Sequence, residues 1–209
     1  MRPYSLLLIT FLMACPASSQ SFKRHNFTAG LGAAIPQGDL GQYYQDAFSW
    51  TFAYGFRPVS FFQIDLGWDG AYNSADVDDY YDSPAFGPIR IRDYQHYFPF
   101  GGRGILPLAK GKVQLFGGGG GAYIRYSEYL NQPSDYWRVD CPVCNSRDGF
   151  GWYALAGGDV ALNQSQSLRL GVTVKMYRGE TDGPSIGSIP PYRTHDKWLN
   201  TYIHLTFCP

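Results

Sequence analysis

The sequence predicts an all-β chain: eight antiparallel strands in an up-and-down meander that closes into a barrel. Three observations carry that expectation. Apolar residues alternate at period two over runs of ten or more residues, the connections between runs alternate between short and long, and the composition is dominated by 25 Gly, 17 Tyr, 14 Phe and 5 Trp in 209 residues. Gly weakens helices and aromatics favour strands, so a helical bundle is excluded, and this many aromatics also exclude a disordered chain. Lys and Arg together number 17 and Asp and Glu 17, so the chain lacks the basic surplus of a nucleic-acid binder.

The chain opens with Arg2, an apolar run from Tyr4 to Met13 and the small, polar stretch Ala14 to Gln20. Ten apolar residues are too few to cross about 30 Å of hydrocarbon as a helix, so residues 1–19 are expected to be a secretory signal peptide cut after Ser19, with 20–209 the barrel domain. The rival reading is a lipoprotein box at Leu12-Met13-Ala14-Cys15, with Cys15 lipidated.

The strands follow in order. The first is expected at Asn26–Ile35. The second, Ala47–Phe56, is the clearest: Phe48, Trp50, Phe52, Tyr54 and Phe56 share one face, and Ala47, Ser49, Thr51, Ala53 and Gly55 the other. No amphipathic helix has that period. The third, Ser60–Asn73, sets Phe62, Ile64, Leu66 and Trp68 against Gln63, Asp65, Gly67 and Asp69, after a turn around Arg57-Pro58. The remaining strands are expected at Ile91–Leu106, Lys112–Ser127, Gly149–Asn163, Ser167–Arg178 and Lys197–Phe207. Short links at the Arg57 region, Pro107–Gly111 and Gln164–Gln166 all fall at one end. Long polar ones at Pro36–Asp46, Ser74–Arg90, Glu128–Asp148 and Gly179–Asp196 fall at the other. An even number of long strands with this asymmetry is the pattern of a transmembrane β-barrel with short periplasmic turns and four longer extracellular loops.

Five stretches stand out: Phe48–Phe56 (FSWTFAYGF), Tyr97–Gly104 (YFPFGGRG), Gly117–Gly121, Phe150-Gly151-Trp152 and Leu168–Val172 (LRLGV). Through them the chain resembles the small eight-stranded outer-membrane barrel family, the OmpA/OmpX-like and OmpW-like group, over essentially the whole mature chain. The resemblance implies a bacterial outer-membrane location, a non-enzymatic structural or surface-interaction role, and no cofactor or metal. It also implies lipid and lipopolysaccharide as surroundings, insertion by the barrel-assembly machinery, and ligands met through the loops. Such barrels commonly end in an aromatic residue, whereas here Phe207 is followed by Cys208-Pro209.

With the apolar face turned to lipid, the lumen receives Asp65, Asp69, Arg103, Asp159, Arg169, Lys175, Tyr177, Asn200, Tyr202 and His204. Isolated charges in a narrow lumen are too costly, so Asp65, Asp69 and Asp159 should be matched there by Arg103, Arg169 and Lys175. Phe48, Tyr72, Tyr123 and Trp152, near strand ends, would form interfacial girdles. The alternative architecture is a soluble lipocalin-like barrel with its apolar face inward around a small ligand.

Other motifs are weaker. Gly117–Gly121 lacks the Lys-Ser/Thr and helix of a phosphate loop and reads as a bare, strongly coiled stretch of barrel wall. The acidic stretch Asp76–Asp82 lacks the Gly and terminal Glu of a calcium loop. Cys141-Pro142-Val143-Cys144 has redox or zinc spacing without the supporting partners, so a local loop disulfide is expected, with Cys208 unpaired. Asn26-Phe27-Thr28 and Asn163-Gln164-Ser165 match the glycosylation pattern at chance frequency. An enzymatic alternative, lipid A acyl hydrolysis or transfer, would need His195 beside Asp196 with Ser185 or Ser188 as nucleophile.

Overall fold

The alternating runs fold as strands, and the described residues form nine in all, a short one falling within an expected loop. In the computed structural model these are β1 (His25–Pro36), β2 (Ala47–Val59), β3 (Phe62–Tyr72), β4 (Tyr80–Ser83), β5 (Gly87–Leu108), β6 (Val113–Gln132), β7 (Val139–Ala161), β8 (Leu168–Asp182) and β9 (Thr194–Phe207). The structure describes residues 22–38, 41, 44–72, 80–83, 87–132, 139–186, 191 and 193–209, and of 80–83, 87–91, 130–132 and 139–144 the backbone alone. The expected leader, residues 1–19 with Cys15, lies outside the described residues, as do Asp76, Asp78, Asp79 and Ser188.

All strands but β4 form one closed antiparallel barrel, in the order β3-β2-β1-β9-β8-β7-β6-β5 with β5 returning to β3. β1 and β9 close it in register from Phe27 opposite Phe207 to Pro36 opposite Trp198. Closure leaves no unpaired edge along the barrel wall. β4 pairs with the start of β5, Tyr80 opposite Arg90, and extends that wall at the long-loop end.

Short links gather at one end. Between β5 and β6 the chain turns through Ala109, Lys110 and Gly111 at φ of 50°, 58° and 82°. These left-handed values suit the reversal of a twisted strand pair, and Gly111 adopts its own without a Cβ penalty.

The long-loop end departs from the sequence expectation. β5 to β9 run several residues beyond the predicted limits, so Glu128, Cys141, Cys144, Arg147 and Asp196 lie on strands rather than in loops. Hydrophobic contrast vanishes there because both faces are polar, while the two-residue geometry continues. Cys141 sits opposite Leu130, beside a register shift between Glu128 and Leu130. The expected disulfide therefore falls on the flank of a hairpin and not at its tip, with both side chains outside those described.

Faces separate cleanly. Phe150 is 73% exposed, Ile203 65% and Leu66 62%, part of an apolar band that encircles the outside. Phe48 and Trp152 stand in that band, and half-buried Tyr72 and Tyr123 lie towards its long-loop edge. Inward positions are mostly polar, aromatic or small, with Ile105, Ile124 and Leu155 among them, and most are buried. Gly117–Gly121 is ordinary strand, paired to β5 and β7, and the Phe100 ring lies over Gly121 as the Phe62 ring lies over Gly102.

Candidate functional site

The lumen is built as stacked levels of hydrogen-bonded charge, each set by the inward parity of its strand. Nearest the short turns, Arg169 donates from Nε to Asp159 Oδ1 at 2.5 Å, and from Nη2 to the Gly111 and Lys112 carbonyls at 3.1 and 3.3 Å. One guanidinium thus ties β7 and β8 to the turn before β6. Arg57 reaches across from β2 to give Gln114 a 3.1 Å hydrogen bond.

The next level is a two-pronged pair. Arg103 Nε and Nη2 donate to Asp65 Oδ2 and Oδ1 at 2.7 and 2.8 Å, the fork geometry that makes Arg–carboxylate pairs strong. Gln63 donates to the same carboxylate at 2.7 Å and accepts from Asn26 at 2.8 Å. The Arg103 guanidinium also lies 4.8 Å from the centre of the Phe116 ring, a cation–π contact.

Asp69 occupies the centre, fully buried. Its oxygens accept from Lys175 Nζ at 2.9 and 2.8 Å, from Thr51 Oγ1 at 2.6 Å and from Tyr177 at 2.6 Å. Lys175 and Tyr177 are on β8, which stands opposite β3 around the ring, so these bonds cross the full lumen. Tyr97 stacks on Tyr177 at 4.5 Å between ring centres, and Lys175 lies 5.4 Å from the centre of the Tyr202 ring. His204 meets Thr173 at 3.3 Å, and Asn200 donates to Tyr202 at 3.0 Å.

Towards the long loops, Trp198 donates to Tyr126 at 3.0 Å from the far wall, and Tyr44, from the first long connection, packs edge-on to Trp198 at 5.2 Å. Above them Asp196 accepts from Thr181 and Thr194, both at 2.7 Å, and Arg147 donates to Thr194 at 2.9 Å. A cavity of about 20 Å³ remains between Thr51, Asp65, Arg103, Tyr153, Lys175 and His204. That is room for about one water.

Polar inside and apolar outside is the reverse of a cup that holds an apolar ligand in water, so the faces do not suit the lipocalin-like alternative. Comparison with solved structures agrees. Neisserial surface protein A superposes with a TM-score of 0.54 at 11% identity, over 88% of this chain and 97% of that one. The outer membrane protein OprG from Pseudomonas aeruginosa gives 0.52 at 13% identity, over 90% and 98%. The fold is that of a small eight-stranded outer-membrane barrel. Neither a protein-family model nor a curated protein matches the chain.

Within this outer-membrane barrel fold, all ten expected luminal residues point inward, and the structure sets Asp65 with Arg103, Asp159 with Arg169, and Asp69 with Lys175. The spacing of the sequence alone does not say which acid meets which base. His195 and Asp196 fall on opposite faces: His195 is exposed against Glu180 at 3.2 Å, while Asp196 is buried in the lumen. Adjacent strand residues cannot share a pocket, so they do not form the dyad that lipid A chemistry would need. Among the described residues no cluster of three or more His, Cys, Asp or Glu is gathered to ligate a metal.

Arg57, Tyr97, Tyr126, Arg147 and Trp198 also belong to the network and escape the sequence reading, which places Thr51 and Gln63 on the polar face without a role and Asp196 in a loop. Parity along each strand could have assigned several of these to the lumen: Gln63 is an even number of residues from Asp65, Tyr97 from Arg103, Arg147 from Asp159, and Asp196 and Trp198 from Tyr202.

Proposed function

We propose that this protein crosses the bacterial outer membrane as a sealed, non-enzymatic barrel and holds its long-loop end outward as a contact surface. The observation that carries the reading is the set of cross-lumen bonds centred on Asp69, which leaves a cavity of about 20 Å³ and no room for a hydrated solute to pass that level. The extended strand pairs β4–β5 and β6–β7 support a surface role, since binding loops gain precision from a rigid scaffold.

In this reading residues 1–19 direct export, the barrel-assembly machinery inserts the chain, and lipid with lipopolysaccharide surrounds the apolar band. A Cys141–Cys144 disulfide would stiffen the β6–β7 hairpin that presents one loop. The test is planar-bilayer conductance of the folded protein beside a heat-modifiability gel. A folded band that shifts on boiling, with no single-channel steps, supports the reading. Steady steps from the folded wild type would replace the sealed scaffold with a pore.

A further inference from the structure

The chain's zero net charge conceals a strong separation along the barrel axis. At the short-turn end, described segments 22–28, 54–66, 101–117, 155–170 and 203–209 contain two acidic side chains, Asp65 and Asp159. Both lie in the lumen, already matched by Arg103 and Arg169. Lys23, Arg24, Arg57, Lys110 and Lys112 are left over at this end, with no carboxylate within ion-pairing distance among the described residues. Arg24, Lys110 and Lys112 are exposed on the rim, while Arg57 is buried in the mouth.

The apolar band reaches into the turns themselves. Phe61, in the β2–β3 turn, is 56% exposed, Leu108 before the β5–β6 turn 40%, and Leu162 after β7 51%. Cations placed directly beyond exposed Phe and Leu stand at the level where hydrocarbon gives way to headgroups. Each Lys or Arg there gains from an anionic leaflet, and among the described residues no carboxylate side chain pairs with these charges.

We propose that the short-turn rim binds anionic phospholipid, with headgroup phosphates against Lys110 and Lys112 on one turn and Arg24 at the foot of β1, and acyl chains along the adjoining Phe and Leu side chains. The rim would anchor that end of the barrel to the leaflet around it and fix its depth.

Spin-labelled phosphatidylglycerol and spin-labelled phosphatidylcholine, each at trace level in phosphatidylcholine bilayers holding the folded protein, report the relative association of the two lipids. Wild type should favour phosphatidylglycerol several-fold at low salt and lose that preference at high salt. Lys110→Gln with Lys112→Gln should bring the ratio most of the way to one, since a single cation on a phosphate is worth about fivefold, while Lys110→Arg with Lys112→Arg should retain it. Gel mobility confirms folding, and Arg24→Gln supplies the same readout if the double variant does not fold. A wild-type ratio near one, or a ratio unchanged in the Gln variants, overturns the proposal. So does loss of the preference on adding inorganic phosphate at constant ionic strength, which would make the ligand a free anion.

Discussion

Lys175 on β8 and Asp69 on β3 stand on opposite strands of the barrel, and Nζ lies 2.8 Å from Oδ2 across the whole lumen. Both groups are buried, and the carboxylate is further satisfied by Thr51 and Tyr177. Removing one charge leaves the other buried without its ion partner.

Lys175→Met should therefore cost about 3–5 kcal/mol, the penalty of breaking a buried pair from one side. Lys175→Met combined with Asp69→Asn should cost distinctly less, because the neutral amide strands no charge. Urea unfolding midpoints in detergent micelles decide this; a double variant weaker than Lys175→Met alone would mean the pair does not act as a unit.

Two neighbouring glycines of β6 should behave oppositely. A Cβ on Gly118 would strike the Gly102 carbonyl and lie 2.6 Å from Arg103 Cα, so Gly118→Ala must push β5 away. The expected loss is about 1–3 kcal/mol. A Cβ on Gly117 meets nothing nearer than the Leu155 carbonyl at 3.7 Å, so Gly117→Ala should change stability by less than about 0.5 kcal/mol. The same midpoints check both, and equal effects would contradict the tight coiling ascribed to this stretch.

Cys208 sits just past β9, 4% exposed, with its backbone N–H donating to the Ser167 carbonyl at 2.7 Å. Burial pushes its thiol above the usual range, which starves it of reactive thiolate, although Arg169 and Arg57 pull the other way. In a Cys141→Ser, Cys144→Ser mature chain, maleimide labelling at mildly alkaline pH should be slow when folded and fast in urea. Equal rates in the two states would show an accessible thiol.

The barrel strands were legible because one face is apolar and the other is not, and Ala47–Phe56 is readable residue by residue. That contrast fails beyond the apolar band, where β7 continues through Asn145 and Arg147 with polar residues on both sides. The luminal acids and bases follow from parity once the lipid face is chosen. Their pairing does not, because Asp69 and Lys175 meet through closure of the ring, 106 residues apart in the chain. The inward aromatics Tyr97, Tyr126 and Trp198 were hidden for a different reason: an aromatic is at home in lipid and equally able to fill a lumen. Side-chain type does not tell the two apart; an even step along the strand from a luminal charge does, once the strand is known to continue that far.

Inside and outside are therefore the central claim, and Trp152 and Trp198 test it at nearly one depth. Trp152 pairs with Arg178 and Trp198 with Tyr177, one residue apart on β8, yet Trp152 is 45% exposed on the outer wall and Trp198 is fully buried in the lumen. Single-Trp variants folded into bilayers of brominated phosphatidylcholine should show strong quenching of Trp152 and little of Trp198. Quenching of Trp198 as strong as that of Trp152, or a Trp152 emission indifferent to the brominated lipid, would contradict a barrel with its apolar face in the membrane.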